Sequence, residues 1–151
     1  MIKLLDVGFI YEVEHIEWVS PIVIVMKKNG NMRVCVDLKK FNATTIRDHY
    51  PLPFIEDVLE RVVGHEAYIF LDRFSGYNQV SIDPKDQHKM AFATTWDIFV
   101  YTKMPFGLAI SLVTFQRLMS TTFKKYLRIW LEIFLDDLCL YSCWLEHLKH
   151  L

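Results

Sequence analysis

Two aspartates stand side by side between two apolar runs, in the stretch IWLEIFLDDLCLYS at residues 129–142. Short apolar runs of this kind are typical of strands, so Asp136 and Asp137 are predicted to form the turn between them. Adjacent carboxylates repel each other, and crowding them costs free energy unless a cation compensates. A solvated Asp-Asp turn is the alternative, because aspartate is a common turn residue. A second acidic site elsewhere in the chain would favour a cation site over that alternative.

Length and composition limit the classes of protein to consider. The 151 residues make one domain or a piece of one, and the hydrophobic fraction of 52% is ample for a core. The formal net charge of −1 gives no global electrostatic argument for nucleic-acid binding, so any such argument must rest on local clusters. No apolar run approaches the roughly 18 residues of a membrane span, and the acidic N-terminal stretch does not suit a signal peptide. We therefore expect no membrane partner.

The three cysteines indicate the redox compartment. Cys35, Cys139 and Cys143 are odd in number and form no CxxC pair. Buried thiols in a reducing compartment are the interpretation that this usage favours. An intracellular protein is therefore expected, with the cytoplasm and the nucleus left open.

Local patterns predict alternating short strands and helices. The expected elements are a weak helix at 2–7, a strand at 22–25, a return strand in MRVCVDL, a helix at 55–62, strands at 67–72, 90–94 and 99–103, and a helix from about 111 to 127. Asn29-Gly30 predicts a two-residue hairpin turn, and the lysines and arginine around it make that hairpin basic. The helix at 55–62 is predicted to bury Ile55, Val58, Leu59 and Val62 on one face.

The second acidic site is Asp72. AYIFLD at 67–72 is predicted to be a buried strand that ends on this residue. On its own, Asp72 is equally well explained as the N-cap of a following helix. Together with Asp136 and Asp137 it would place three carboxylates at one point if the strands are neighbours, and such a cluster requires a metal. Mg²⁺ suits oxygen ligands and leaves positions open for phosphate oxygens.

A series of motifs then resembles the reverse transcriptase of gypsy-type LTR retrotransposons and, more distantly, of retroviruses. In order along the chain they are WVSPIVIV, MRVCVDLKKFN, YPLPFIEDVLERV, FLDRFSGYNQVSI, KMAFATTWDIFVYTKMPFGL, TFQRLM and FLDDLCLYS. Each motif is weak alone, and their ordered combination is specific. The resemblance covers essentially the whole chain and implies an α+β fold, the fingers and palm of a right-hand polymerase, with an antiparallel palm sheet packed on helices and the thumb absent. The fingers would span about 1–63 and part of 78–105, and the palm about 64–77 and 106–151.

The resemblance also implies roles for individual residues. Asp72 and Asp136 match the family's metal-binding aspartates, and Asp137 matches the neighbour that supports the catalytic site. The implied nucleotide-binding residues are Lys27, Lys28, Arg33, Ser75, Gly76 and Tyr77, and those facing the template–primer are Phe106, Gly107 and Gln116. From the residues alone, the basic side chains fit a solvated strand edge as well as a triphosphate clamp. In the same way Tyr77 fits a core aromatic.

The implied activity is RNA- and DNA-templated DNA synthesis with two Mg²⁺ ions, for which Mn²⁺ is a substitute. The implied partners are an RNA or DNA template–primer, dNTPs and other parts of a retroelement polyprotein. Phosphoryl transfer depends mainly on positioning and charge neutralisation, so acids for metal and cations for phosphate are the expected equipment. The stretch AISLVTFQ lacks the Asn and Pro usual before the family's Thr-Phe-Gln, and Arg73 follows Asp72 directly. The sequence also ends after the palm motifs, which favours a truncated copy. The departures and the missing thumb support the alternative, a catalytically inactive remnant with at most weak nucleic-acid binding.

Overall fold

A computed structural model describes residues 2–26, 29–72 and 76–143. The chain divides into two compact units, each built from two separate segments. The first unit comprises residues 1–47 and 77–111, and the second comprises residues 48–76 and 112–151. The predicted boundaries of fingers and palm remain a prediction.

Five α-helices and eight strands lie in the described part of the chain. In chain order they are α1 Ile2–Asp6, β1 Ile10–Val13, β2 Ser20–Met26, β3 Met32–Val36, α2 Lys39–Thr44, α3 Ile55–Val62, β4 Ala67–Asp72, α4 Pro84–Gln87, β5 Ala91–Ala93, β6 Ile98–Tyr101, α5 Ser111–Thr122, β7 Leu131–Phe134 and β8 Asp137–Ser142. Short 3₁₀ turns cover Gly76–Gln79 and His88–Met90. The mixture of helices and sheets confirms the predicted α+β class. None of the helices in the described ranges has the length and apolarity that crossing a membrane requires.

The first unit is built on a five-stranded mixed sheet in the order β1-β6-β5-β2-β3. All neighbours are antiparallel except β2 and β5, which are parallel. Its core is formed by Ile10, Phe92 and Phe99, which are almost fully buried. The Phe92 ring also lies 4.8 Å from the ring of Tyr101, centroid to centroid. These apolar side chains come from three adjacent strands, so β1, β5 and β6 share one hydrophobic core.

The β2–β3 hairpin differs from its prediction in the length of its loop. Met26 pairs with Met32, so five residues separate the two strands rather than the two predicted from Asn29-Gly30. Gly30 does adopt a positive φ of 79°, and the Asn29 side chain accepts a hydrogen bond from the backbone N–H of Asn31. The Asn-Gly pair therefore forms a local turn inside a longer loop.

The second unit is built on a three-stranded antiparallel sheet in the order β4-β8-β7. Helix α3 packs on this sheet through Val58 and Val62, which contact Cys139 and Tyr141 of β8. The predicted helix face is only half right, because Ile55 and Leu59 are about half exposed. A three-stranded sheet is narrow, and it covers only one side of the apolar stripe.

Strand β4 has the predicted bounds, but the prediction that it is buried is wrong. Among the residues of β4 whose side chains are described, only Ala67 is buried, and Phe70 is 73% exposed. The strand lies at the edge of its sheet, with β8 as its one strand neighbour among the described residues. A continuous apolar run is also typical of a strand between two neighbours, so the sequence pattern could not distinguish these positions.

The cysteines are only partly as predicted. All three are free thiols, as their odd number and spacing indicated. Cys139 is buried and Cys35 is half-buried, but Cys143 is exposed. The expectation of buried thiols therefore fails at Cys143, which follows directly after the last residue of β8.

Candidate active site

The acidic hairpin forms as predicted, with its turn shifted by one residue. Strand β7 ends at Phe134, strand β8 begins at Asp137, and these two residues pair across the hairpin. The turn therefore consists of Leu135 and Asp136 rather than of the two aspartates. Leu135 has a φ of 54°, which fits a tight two-residue connection, since the favoured hairpin turns require positive φ.

The register of β4 brings the distant aspartate to this turn. Asp72 is the last residue of β4 and is the Cα partner of Asp137 in the antiparallel ladder. Partners in such a ladder have Cα atoms about 4.5–5.5 Å apart. The predicted adjacency of the two acid-bearing strands is therefore confirmed. The side-chain direction of Asp72 lies outside what the structure describes, so the convergence of the carboxylates on one face stays a prediction.

Helix α5 supplies a buried side chain that holds the turn. Gln116 is only 3% exposed. Its Oε1 accepts a hydrogen bond of 2.9 Å from the backbone N–H of Leu135. Its Nε2 donates to the carbonyl oxygen of Ile133 and to Ser120 Oγ, both at 3.3 Å. Sequence reasoning placed Gln116 against the template–primer and missed this role, because the side chain's partners are backbone groups that no residue pattern reveals.

The strand before the turn carries a buried carboxylate, Glu132, that is paired with an arginine of α3. The Glu132 side chain is 5% exposed and receives a 3.2 Å hydrogen bond from Arg61 of α3. Its other oxygen, Oε1, has no hydrogen-bond partner among the described residues. Burial raises the pKa of Glu132, and the Arg61 guanidinium offsets part of that rise. Burial also raises the pKa of the nearby Cys139 thiol, and the charge of Glu132 adds to that effect.

Two predicted contact residues pack together in the first unit. Tyr77 is buried, and its ring meets the edge of Phe106 at a centroid distance of 5.0 Å and an interplanar angle of 74°. Phe106 itself is 62% exposed. Gly107, which follows it, has a φ of 96°, and this positive angle accounts for glycine at that bend. Tyr77 is therefore a core aromatic residue, whereas the ring of Phe106 is exposed to solvent. The predicted contact of Tyr77 with a nucleotide stays a prediction.

The bend after β6 is fixed by a residue that sequence reasoning did not assign. Asn42 of α2 donates from Nδ2 to the carbonyl oxygen of Gly107 and accepts at Oδ1 from the N–H of Ala109, both at 2.8 Å. Helix α5 then begins at Ser111, whose hydroxyl donates to the carbonyl oxygen of Pro105. An Asn in the motif MRVCVDLKKFN was the available signal, but its partners lie more than 60 positions away in the sequence.

Several predicted site residues cannot be placed in detail. Lys27, Lys28, Arg73 and Ser75 lie outside the described residues, and Arg33 is described only by its backbone in β3. Gly76 begins the 3₁₀ turn after β4, with a φ of 44°. The nucleotide-binding roles of Lys27, Lys28, Arg33, Ser75 and Gly76 stay predictions.

The donor set fits a hard divalent cation in its chemistry. Carboxylate oxygens are the ligands that Mg²⁺ prefers, and the ladder joins the end of β4 to the start of β8 through Asp72 and Asp137. Within the residues whose side chains are described, no group of three or more His, Cys, Asp or Glu residues is arranged to hold a metal. The side chain of Asp72 is not among them.

Comparisons with known proteins identify the family of this chain. A family model described as reverse transcriptase (RNA-dependent DNA polymerase) matches residues 25–151. An RNA-directed DNA polymerase homolog from Oenothera berteroana is 35% identical over 125 residues, which cover 80% of this chain and 88% of that protein. The Transposon Tf2-7 polyprotein of Schizosaccharomyces pombe is 32% identical over 131 residues, or 86% of this chain. The chain spans only 10% of the length of that polyprotein.

Solved structures show the same fold. The foamy viral protease-reverse transcriptase in complex with an RNA/DNA hybrid superposes with a TM-score of 0.86 at 22% identity, over 97% of this chain and 20% of that one. The Prototype Foamy Virus Protease-Reverse Transcriptase CSH mutant gives a TM-score of 0.83 at 20% identity, with the same coverage. The predicted fingers and palm fold is thereby confirmed. Since the family model matches most of the chain and the Oenothera and transposon relatives exceed 30% identity, this chain belongs to the reverse transcriptase family of RNA-directed DNA polymerases.

Proposed function

We propose that this chain forms the fingers and palm core of a retrotransposon-type polymerase that copies RNA and DNA templates into DNA. The observation that carries the proposal is the ladder partnership of Asp72 and Asp137, which brings the two acid-bearing strand ends together. Family membership supports it. Foamy viral protease-reverse transcriptase has been solved in complex with double-stranded DNA and with an RNA/DNA hybrid, and we extend such template–primer binding to this chain as part of the proposal.

In this proposal Asp72 and Asp136 are the metal ligands, and Asp137 supports them. Two bound Mg²⁺ ions, or Mn²⁺ in their place, supply activation of a primer 3′-hydroxyl and stabilisation of charge on the leaving pyrophosphate. The chain's own contribution is to hold the carboxylates at the end of a rigid sheet, because phosphoryl transfer depends mainly on positioning and charge neutralisation. Lys27, Lys28 and Arg33 would hold the triphosphate, with Ser75 and Gly76 near its oxygens and Tyr77 near the sugar. The template–primer would lie against Phe106 and Gly107.

Primer extension tests this proposal. Because the transposon relatives are much longer than this chain, the adjoining regions of an active relative are fused to it before the assay. The fusion is expected to extend a DNA primer on an RNA template in Mg²⁺. Asp136→Asn is expected to lower the rate about 10³-fold, since metal-assisted stabilisation is worth several kcal/mol.

The control is Asp97→Asn, which removes an exposed carboxylate from the turn between β5 and β6 and should leave the rate unchanged. Equal extension by the Asp136→Asn fusion and its parent would refute the metal assignment. A fusion that binds primer–template without extending it would favour the inactive remnant instead.

A further inference from the structure

The side chain of Gln116 bridges the backbone on the approach to the acidic turn. One amide group contacts two backbone positions, the carbonyl oxygen of Ile133 and the N–H of Leu135. A backbone N–H can only donate and a carbonyl oxygen can only accept, so these partners fix the amide with Oε1 toward Leu135 and Nε2 toward Ile133. Asp136 follows Leu135 directly, so the bridge ends one residue before a proposed metal ligand.

The bridge acts on a backbone conformation that needs support. Leu135 has a φ of 54°, in the left-handed region that costs residues with a Cβ atom roughly 1–2 kcal/mol. Such conformations persist where the surroundings hold them, and they are concentrated at functional sites. The hydrogen bond that the Leu135 N–H donates to Gln116 Oε1 helps to hold this backbone conformation. Since Gln116 lies on α5, the bridge ties the turn to a twelve-residue helix.

Burial separates this role from direct contact with nucleic acid. Gln116 is 3% exposed, and its amide nitrogen is already engaged by Ile133 and Ser120. A base or phosphate could reach the amide only by displacing these partners, which would leave buried polar groups unsatisfied at about 1–3 kcal/mol each. The position favours an action through the turn rather than on the template.

We propose that Gln116 is a positioning residue that sets the direction of Asp136 by holding the Ile133–Leu135 backbone. The consequence for metal binding rests on the proposed function of Asp136, whereas the consequence for the turn itself does not. Residues that orient metal ligands typically change metal affinity by 10- to 100-fold when they are replaced.

The test compares Gln116→Met with the parent chain. Methionine has a similar length and no amide, so both bonds to the turn are lost with little change in volume. Ser120→Ala is the matched control, because it removes the other partner of Nε2 and leaves the bonds to Ile133 and Leu135 in place. Mn²⁺ affinity is measured by titration with electron paramagnetic resonance, and hydrogen exchange is measured at the Leu135 amide.

Gln116→Met is expected to weaken Mn²⁺ binding about 10-fold and to speed exchange at Leu135, while Ser120→Ala changes neither. Asp136→Asn shows whether the bound Mn²⁺ is the one at the turn. Parent-like affinity in Gln116→Met, with binding lost in Asp136→Asn, would overturn the positioning role and leave the proposed function standing.

If the parent binds no Mn²⁺ in an Asp136-dependent way, the proposed metal site fails, and exchange at Leu135 alone decides whether Gln116 holds the turn. Unchanged exchange would then overturn that role as well. Should Gln116→Met not fold, Gln116→Glu replaces it. This variant keeps the acceptor for Leu135 but removes the donor for Ile133, so one half of the bridge is lost. The proposal expects faster exchange at Leu135 than in the parent, and parent-like exchange would contradict it.

Discussion

Glu132 is a buried carboxylate with one ion-pair partner, and this makes folding sensitive to pH. Burial raises the pKa of its carboxyl in the folded chain above the ordinary value. As pH rises through the ordinary value of 4.5, the unfolded chain loses this proton before the folded chain does. Deprotonation therefore stabilises the unfolded state relative to the folded state until the pH passes the folded pKa. Glu132 therefore lowers the free energy of unfolding as the pH rises above about 4.5.

We predict that Glu132→Gln removes this loss. Relative to the parent, the variant should gain stability as the pH rises above 4.5, and the gain should level off once the folded pKa of Glu132 is passed, as measured by urea unfolding at several pH values. Glu60→Gln is the matched control, because it removes an exposed carboxylate from α3. A stability difference between Glu132→Gln and the parent that stays constant over this range would contradict the prediction.

At the scale of elements, the bend between β6 and α5 depends on one side chain from α2. Asn42 makes two hydrogen bonds to this bend, one to Gly107 and one to Ala109. We predict that Asn42→Asp, which keeps the acceptor and loses the donor, lowers the free energy of unfolding by about 1–3 kcal/mol. Asn42→Leu loses both bonds and should in addition speed hydrogen exchange at the Ala109 amide.

Thr44→Val is the control for this experiment. The Thr44 hydroxyl donates to the carbonyl oxygen of Phe41 within the same helix, so its loss leaves the bend untouched. Equal exchange at Ala109 in the parent, Asn42→Leu and Thr44→Val would show that the bend holds without Asn42.

Most of these elements could be predicted from the sequence, and the exceptions have a common physical cause. Periodicity and turn residues located β4 and α3 with their observed bounds, because both signals are local. The length of the β2–β3 loop, the exposure of Phe70 and the half-buried face of α3 depend on partners far along the chain. Helix α5 ends at Thr122 rather than near residue 127 because residues 123–130 form a series of turns, in which Arg128 has a positive φ.

The residues of the candidate site also fall into those that the sequence could predict and those that it could not. Asp72 and Asp136 could be identified from residue type and position in the predicted strands, together with the family motifs. The bonds of Gln116 and Asn42 could not, since each depends on backbone groups brought near by the fold. Glu132 gave no signal in the sequence, because an acidic residue in an apolar strand is compatible with either face until its pairing is known.

At the scale of the whole chain, the net charge of −1 gives little electrostatic attraction to nucleic acid. Four basic residues lie between positions 117 and 128, namely Arg117, Lys124, Lys125 and Arg128, but they offer less charge to nucleic acid than their number indicates. Arg117 forms an ion pair with Asp48 at 2.6 Å and lies over the ring of Tyr50. Lys124 and Lys125 are exposed after the end of α5, and they are the cations in this run that we expect to contact phosphates.

We predict that Lys124→Ala with Lys125→Ala weakens binding to an RNA/DNA hybrid at low salt. The slope of log affinity against log salt concentration should fall by about 1 for each lysine that contacts a phosphate. Fluorescence anisotropy between 50 and 200 mM salt, a range in which such contacts strongly affect affinity, measures both quantities. The control is Lys3→Ala with Lys85→Ala, which removes the same charge from α1 and α4. An equal decrease of the slope in that control would mean that nucleic acid does not bind preferentially at Lys124 and Lys125.

The pairing of β4 with β8 has a consequence for the order in which a nascent chain folds. Asp72 leaves the ribosome about 65 residues before its ladder partner Asp137, which at 5–20 residues per second is a delay of roughly 3–13 s. In that interval the ribosome makes β5 and β6, which pair with β2 and β1 of the first unit. The first unit can thus complete its sheet during translation, while β4, which carries the apolar Phe70 and Leu71, has not yet paired with β8. Exposed apolar surface and unpaired strand edges promote aggregation, so we expect β4 to be prone to aggregation during this interval.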